Sequence, residues 1–186
     1  MRRIVSLLPS ATEIVWTLGF GKSLVGRSHE CDFPPQARSL PVCTKPRVNV
    51  NAASGEIDRE VKALLREAIS IYEIDTEAIR ALKPDLILTQ AQCEVCAVSL
   101  AEVEAAVREW ADSRPRVLSL SPMCLAEVWD NIQSVADALE ASERGVELLQ
   151  KLRGRVQDTQ IFGGRHTVAC LEWLDPLMAA GNWVPN

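Results

Sequence analysis

Few residues in this chain could do chemistry, and most of them sit close together. His29, Glu30, Cys31 and Asp32 follow one another, Phe33-Pro34-Pro35 comes next, and Cys93 and Cys96 form a C-x-x-C pair further on. Imidazole, carboxylate and thiolate are the common ligands of zinc, iron and cobalt, so His29, Cys31, Cys93 and Cys96 make a candidate metal group. A single C-x-x-C lacks the second pair that zinc spacing requires. Buried inert cysteines and a disulfide or redox pair therefore stand beside the metal reading. His29 next to Glu30 could support proton transfer, but no nucleophile is fixed. The sequence has no Gly-x-Ser-x-Gly, Ser-x-x-Lys, Walker loop or His-Glu-x-x-His motif, and His166 is the one other histidine. The pattern is that of a protein that is not an enzyme.

Alternating strands and helices must position these groups. The apolar run Arg3–Leu8 reads as a strand. Ser10 and Glu13 have the spacing of a capping box, and Ala11, Ile14, Val15 and Leu18 recur at helical spacing. Gly19 is a natural helix stop. Leu24–Gly26 is a second strand, leading into the His29–Phe33 loop. Further on, Ser54 can cap a helix over about 56–71, and Asp75 opens a short one over about 76–82. Leu86–Leu88 is a buried strand, and Gln90–Val98 a loop holding the cysteine pair. Ser99 and Glu102 form a second capping box for a helix to about Asp112, and Val117–Leu120 is the next strand. Helix then runs over about 125–160, interrupted near Ala141-Ser142 or Gly145. Thr167–Leu171 is a final strand, before a tail without periodicity. Such alternation implies an α/β fold, a parallel sheet with helices on both faces. Ligands of such sheets bind beyond the carboxyl ends of the strands, where Pro9-Ser10, His29–Phe33, Gln90–Cys96 and Ser121–Met123 would gather.

Bulk properties narrow the partners. A net charge of -5 leaves no basic face for phosphate, which excludes a nucleic-acid binder. No apolar run reaches the ~18 residues of a membrane span. Residues 1–20 contain Pro9, Ser10, Thr12 and Glu13 and do not read as a signal peptide. The chain as written is expected in the cytoplasm with reduced thiols, or outside it if the start codon is misassigned. Five tryptophans outnumber three phenylalanines and one tyrosine. Trp16, Trp110 and Trp129 suit core packing. Trp173 and Trp183 lie in the tail, where a flat ring could stack on a large planar ligand.

Several phrases, in order, resemble the substrate-binding proteins of vitamin B12 and ferric-siderophore ABC importers, the cobalamin-binding branch above all. They are Ser6–Ser10 with Thr12-Glu13, Leu24-Val25-Gly26, Asp32-Phe33-Pro34-Pro35-Gln36-Ala37, and Ile79-Arg80-Ala81-Leu82-Lys83-Pro84-Asp85-Leu86. The resemblance implies two α/β lobes joined by one long linking helix, with cargo held between the lobes and no bond made or broken. It implies residues 1–141 as the N-terminal lobe, 142–163 as the linking helix and 164–186 as the start of an incomplete, truncated second lobe. A full second lobe needs on the order of 80–100 further residues, and self-association through the uncovered surface is the expected result. The implied cargo is cobalamin or another corrinoid, or an iron-siderophore complex. No cofactor is required, and the implied partner is an ABC importer permease. Cleft residues carried over are Pro9, Ser10, Glu30, Phe33, Tyr72, Gln90 and Trp173. Phe33 matches a tyrosine of the family's Asp-Tyr-Pro-Pro turn, Glu30 replaces an aromatic, and Tyr72 loosely replaces a tryptophan. Glu77 matches the acid that docks on permease arginines. A cytoplasmic metal- or corrinoid-handling protein that reuses the fold through its Cys/His group is the alternative.

Overall fold

The computed structural model describes residues 2–67, 69–91, 100–110, 114–158 and 167–180. Its centre is a parallel sheet of four strands. β1 (Ile4–Ser6) pairs with β2 (Leu24–Arg27) on one side and β5 (Leu86–Thr89) on the other, and β6 (Arg116–Ser119) extends the sheet beyond β5. β1 and β5 are buried at every residue, as strands covered on both faces must be. Successive side chains point to opposite faces. Ile4, Leu86 and Leu88 pack with Ala11 and Val15 of α1 (Pro9–Val15) and with Val135 and Ala136 of α5 (Leu125–Ala138). Val5, Leu7 and Ile87 face the other way, against Ile79 of α3 (Thr76–Ala81), Val103 of α4 (Leu100–Arg108) and Trp110. Each fully buried Ile or Leu here contributes about 1.5–3 kcal/mol.

Two smaller units flank this sheet. β3 (Thr44–Pro46) and β4 (Tyr72–Ile74) form an antiparallel ribbon on either side of α2 (Ser54–Arg66) in sequence. The tail holds a hairpin, β7 (Leu171–Leu174) and β8 (Leu177–Ala179). The strand expected over Thr167–Leu171 therefore begins only at Leu171, and the tail is paired antiparallel within itself. Helix α6 (Ser142–Gln157) follows α5, and the break between them falls at Leu139–Ala141, where Glu140 takes a φ of 57°. Gly145 lies inside α6 because it packs against α5: a Cβ there would sit 2.6 Å from that of Ala136. Among the described residues, no helix is long and apolar enough to cross a membrane.

Two helix starts differ from the sequence reading. Pro9 occupies the first turn of α1 and Leu8 is its cap residue, so Ser10 lies inside the helix, exposed, without a capping bond. The turn is held instead by buried Thr12, whose hydroxyl donates to Ser6 Oγ at 2.9 Å, while Ser6 Oγ donates to Leu8 O at 3.0 Å. Ser54 is likewise the first residue of α2, after Ala53, whose N–H reaches Glu56 Oε2 at 3.4 Å. Asp75 does cap α3, its carboxylate accepting from Ala78 N–H at 2.8 Å. Ser99 lies outside the described residues. Gly19 has a φ of 86°, the left-handed geometry of a helix stop; it lies in an irregular turn over Trp16–Phe20, and one further short turn, Gly21–Ser23, leads to β2.

Candidate functional site

Strands β1 and β5 are neighbours, but the helices that follow them, α1 and α4, cover opposite faces. Their carboxyl ends thus diverge into a crevice, the usual ligand position of an open parallel sheet. A cavity of about 240 Å³ opens there, lined by Leu8, Ser10, Ile14, Gln90, Leu120 and Pro122 among others. Ser10 and Gln90, expected to meet a ligand, are thus brought together, with Pro9 beside them in the first turn of α1. The wall is largely apolar.

The loop after β2 makes the second part of the rim. Arg27, the last residue of β2, turns its guanidinium inward: Nη1 donates to Ser28 O at 2.9 Å and His29 O at 3.3 Å, and Nη2 to Arg38 O at 3.1 Å. Ser28 N–H donates to Ser6 O at 2.8 Å, tying the loop to β1. Thr44 of β3 buries its hydroxyl under His29. It accepts from His29 N–H at 3.1 Å, donates to Ser28 Oγ at 3.1 Å, and lies 2.8 Å from His29 Nδ1. Tyr72 of β4 closes the group. Its ring centroid is 5.3 Å from that of His29, and its hydroxyl donates to Glu30 Oε1 at 3.3 Å. Glu30 Oε1 in turn lies 3.9 Å from His29 Nε2. Phe33 follows at 59% exposure, a large aromatic side chain turned to solvent. Glu30 and Tyr72, predicted separately, are in contact, and the antiparallel ribbon that carries Tyr72 and sets Thr44 under His29 was not legible in the sequence.

Electrostatics separate the members of the metal group. Partial burial lowers the His29 pKa from 6.5; Glu30 opposes this and Arg27 adds to it. Cys31 is fully buried, its Sγ 3.8 Å from Ser6 O, and burial pushes its thiol up. A buried thiol held neutral beneath β1 favours the buried, inert reading of Cys31 among those the sequence left open. Among the described residues, no group of three or more His, Cys, Asp or Glu side chains could hold a metal. Cys93 and Cys96 lie outside the described residues, as do His166 and Trp183.

Two predicted residues lie elsewhere. Trp173 sits in the β7–β8 hairpin, where its indole donates to Asp175 O at 2.8 Å, and the described contacts do not bring it to the rim. Asp175 lies against the first turn of α2, its Oδ2 2.7 Å from where a Cβ on Gly55 would be. Glu77 is exposed in the first turn of α3, in a groove of about 560 Å³ with Thr44, Lys45, Glu73 and Asp75. Sequence reasoning missed Arg27, Ser28 and Thr44. Arg27 carried a signal, a cation at the inner end of a core strand; Ser28 and Thr44 carried none.

The sequence profile of a family described as periplasmic binding protein matches residues 4–160, which include every rim residue named above. The chain belongs to the periplasmic binding protein family. An ABC transporter substrate-binding lipoprotein of Bacillus subtilis is 24% identical over 160 residues, which are 86% of this chain and 41% of that protein. A vitamin B12-binding protein of Photorhabdus laumondii is 29% identical over 97 residues, 45% of this chain and 35% of that one. This periplasmic binding protein chain thus spans less than half the length of those curated relatives. Among solved structures, the periplasmic vitamin B12-binding protein of Vibrio cholerae matches 84% of this chain and 49% of its own, at 27% identity and a TM-score of 0.57. A Staphylococcus epidermidis protein described as a possible iron-binding, periplasmic solute-binding protein matches 98% of this chain and 61% of its own, with a TM-score of 0.67; at 19% identity it speaks to the fold alone. The matched region is the N-terminal lobe of such proteins. These relatives are periplasmic proteins or lipoproteins, which overturns the cytoplasmic expectation and favours the extracytoplasmic side. The cytoplasmic reading leaned on residues 1–20, within which β1 and α1 lie. That the residues are core says nothing about which side of a membrane they work on.

Proposed function

We propose that this chain forms the first wall of the cargo cleft in the substrate-binding component of an ABC importer, taking a cobalamin-type corrinoid or an iron-siderophore-type chelate. Residues 1–141 act as the first lobe, 142–163 as the linking helix and 164–186 as the beginning of the second lobe. The observation that carries this reading is the exposed Phe33 beside the joined Glu30–Tyr72–His29 group at the carboxyl edge of the sheet. A planar ligand offers an apolar face to Phe33 and polar edges to Glu30, Tyr72, Ser10 and Gln90. Trp173 is assigned to the opposing wall. Binding encloses the cargo without chemistry. Glu77, exposed at the amino end of α3, is assigned to docking on a permease arginine, a pairing that raises encounter rate and fixes register.

Titration of the chain with hydroxocobalamin, ferrichrome and hemin, followed by tryptophan fluorescence and equilibrium dialysis, tests the assignment. Saturable binding of one of them, weakened by Phe33→Ala, is expected. A folded protein that binds none of the three sinks it.

A further inference from the structure

The cavity between α1 and α5 is too small for a whole cargo, and its wall holds a polar group that packing does not use. We propose that it is a subsite for one neutral carboxamide arm of the cargo, read by Asn131, so that the cleft takes a carboxamide-bearing macrocycle of the corrinoid class and rejects a carboxylate-bearing one of the haem class. The inference rests on the reading of this chain as one wall of a cargo cleft.

Three observations carry it. The first is size and place. The cavity of about 240 Å³ lies among Leu8, Ile14, Leu120 and Val128 at the carboxyl edge of the sheet. A pocket for a whole small ligand takes about 300–1,000 Å³, so this one suits a short arm of a larger body seated on Phe33. The second is Asn131. It lies three residues after Val128 and four before buried Val135, on the inward stripe of α5, and it lines the cavity with Ser10 and Gln90. An amide on an apolar wall costs desolvation unless a partner meets it. Among the described residues, no hydrogen bond occupies the Asn131 amide or the Ser10 hydroxyl. A primary carboxamide both donates and accepts, so it can answer an amide and a hydroxyl in either sense. The third is charge. Among the described residues that line the cavity, none is charged, so an entering carboxylate loses water and gains no cation. The positive end of α5 offers little in its place: Glu127, in the first turn, already accepts from Met123 N–H at 2.6 Å. The arm that fits is polar, uncharged and able to donate.

The test uses the 186-residue chain with cyanocobalamin, its monocarboxylic acid derivatives, hemin and, as the arm alone, propionamide and propionate. Equilibrium dialysis reads the macrocycles, and the side-chain amide signals in nitrogen-edited NMR spectra read the small probes. Cyanocobalamin should bind more tightly than hemin, and about tenfold more tightly than the acid derivative that has lost the seated amide. Propionamide, and not propionate, should shift the Asn131 signal. Asn131→Leu, which keeps the volume, and Val128→Phe, which fills the cavity, should each weaken cyanocobalamin about tenfold, with circular dichroism unchanged. Unchanged affinity in both variants, or hemin and every acid derivative bound as tightly as cyanocobalamin, overturns the subsite and leaves the cleft assignment standing. Propionamide bound at Asn131 in a chain that takes no macrocycle upholds the subsite and removes the macrocyclic cargo. A folded chain that answers to no probe overturns both.

Discussion

Thr12, and not Ser10, should hold the turn that places the cavity wall, and the two substitutions separate the possibilities. Thr12 is completely buried, and its hydroxyl donates to Ser6 Oγ at 2.9 Å while lying 3.3 Å from Leu8 O. Thr12→Val keeps the branched shape and removes this bond. A neutral hydrogen bond is worth about 0.5–1.5 kcal/mol net, and stranding a buried partner adds to that. Ser6 Oγ still donates to Leu8 O at 3.0 Å, so the added cost is small and the expected loss is about 1–2 kcal/mol. In a chain of this size that lowers the melting temperature by about 3–6 °C. Ser10→Ala removes an exposed hydroxyl with no capping bond and should stay within about 0.5 kcal/mol of wild type. Urea titration and thermal melts by circular dichroism measure both. If Ser10→Ala loses the ~1 kcal/mol of a true cap and Thr12→Val is silent, the turn is built as the capping-box pattern reads and the argument from Thr12 fails.

Three further predictions follow from burial and charge. Gly26→Ala should destabilise by about 1–3 kcal/mol in urea unfolding, because its Cβ would meet Leu82 Cδ1 at 2.6 Å and Cys43 Sγ at 2.9 Å; an unchanged midpoint would show that this packing yields. In mass-mapped labelling with a maleimide at pH 8, exposed Cys170 should react far faster than Cys31 or Cys43, whose thiols are buried and raised, that of Cys43 to about 11; equal rates would refute their burial. His29, with a folded pKa lowered below 6.5, contributes stability that is present above 6.5 and lost as pH falls through the lowered value, so His29→Gln should flatten the acid limb of the stability–pH curve, and an unaltered limb would count against it.

The sheet was legible because its physics is local. Continuous apolar runs at Ile4–Leu8 and Leu86–Leu88, separated by helical spacing, can pack only as buried parallel strands with helices on both faces. The helix stop at Gly19 and the cap at Asp75 could be read from single residue types. The capping box at Ser10 misled because Pro9 fits the first helical turn, where its missing N–H costs nothing, and moves the cap two residues earlier, to Leu8. The rim was only partly legible. Glu30, Tyr72, Ser10 and Gln90 were named, but the contact between Glu30 and Tyr72 depends on pairing between β3 and β4, which are 25 residues apart and three residues long each. No periodicity shows in strands so short. Cys31 stayed open between a ligand and an inert thiol because residue type does not show burial, and burial decides whether the thiol ionises.

Helix α6 meets α5 through Gly145, which allows close backbone approach to Ala136, and through Gln133, whose amide donates to Ser142 O at 3.2 Å. Both contacts lie in the first turn of α6. Leu148 and Leu149 in the second turn also pack inward, so α6 works as a lever whose free arm is its last eight residues, 150–157, about 12 Å long. A tilt of 10° at the joint carries the far end of that arm through about 2 Å. A side chain at position 145 would therefore act at a distance, shifting whatever the far end of α6 carries while leaving the rim at Glu30 and Tyr72 in place.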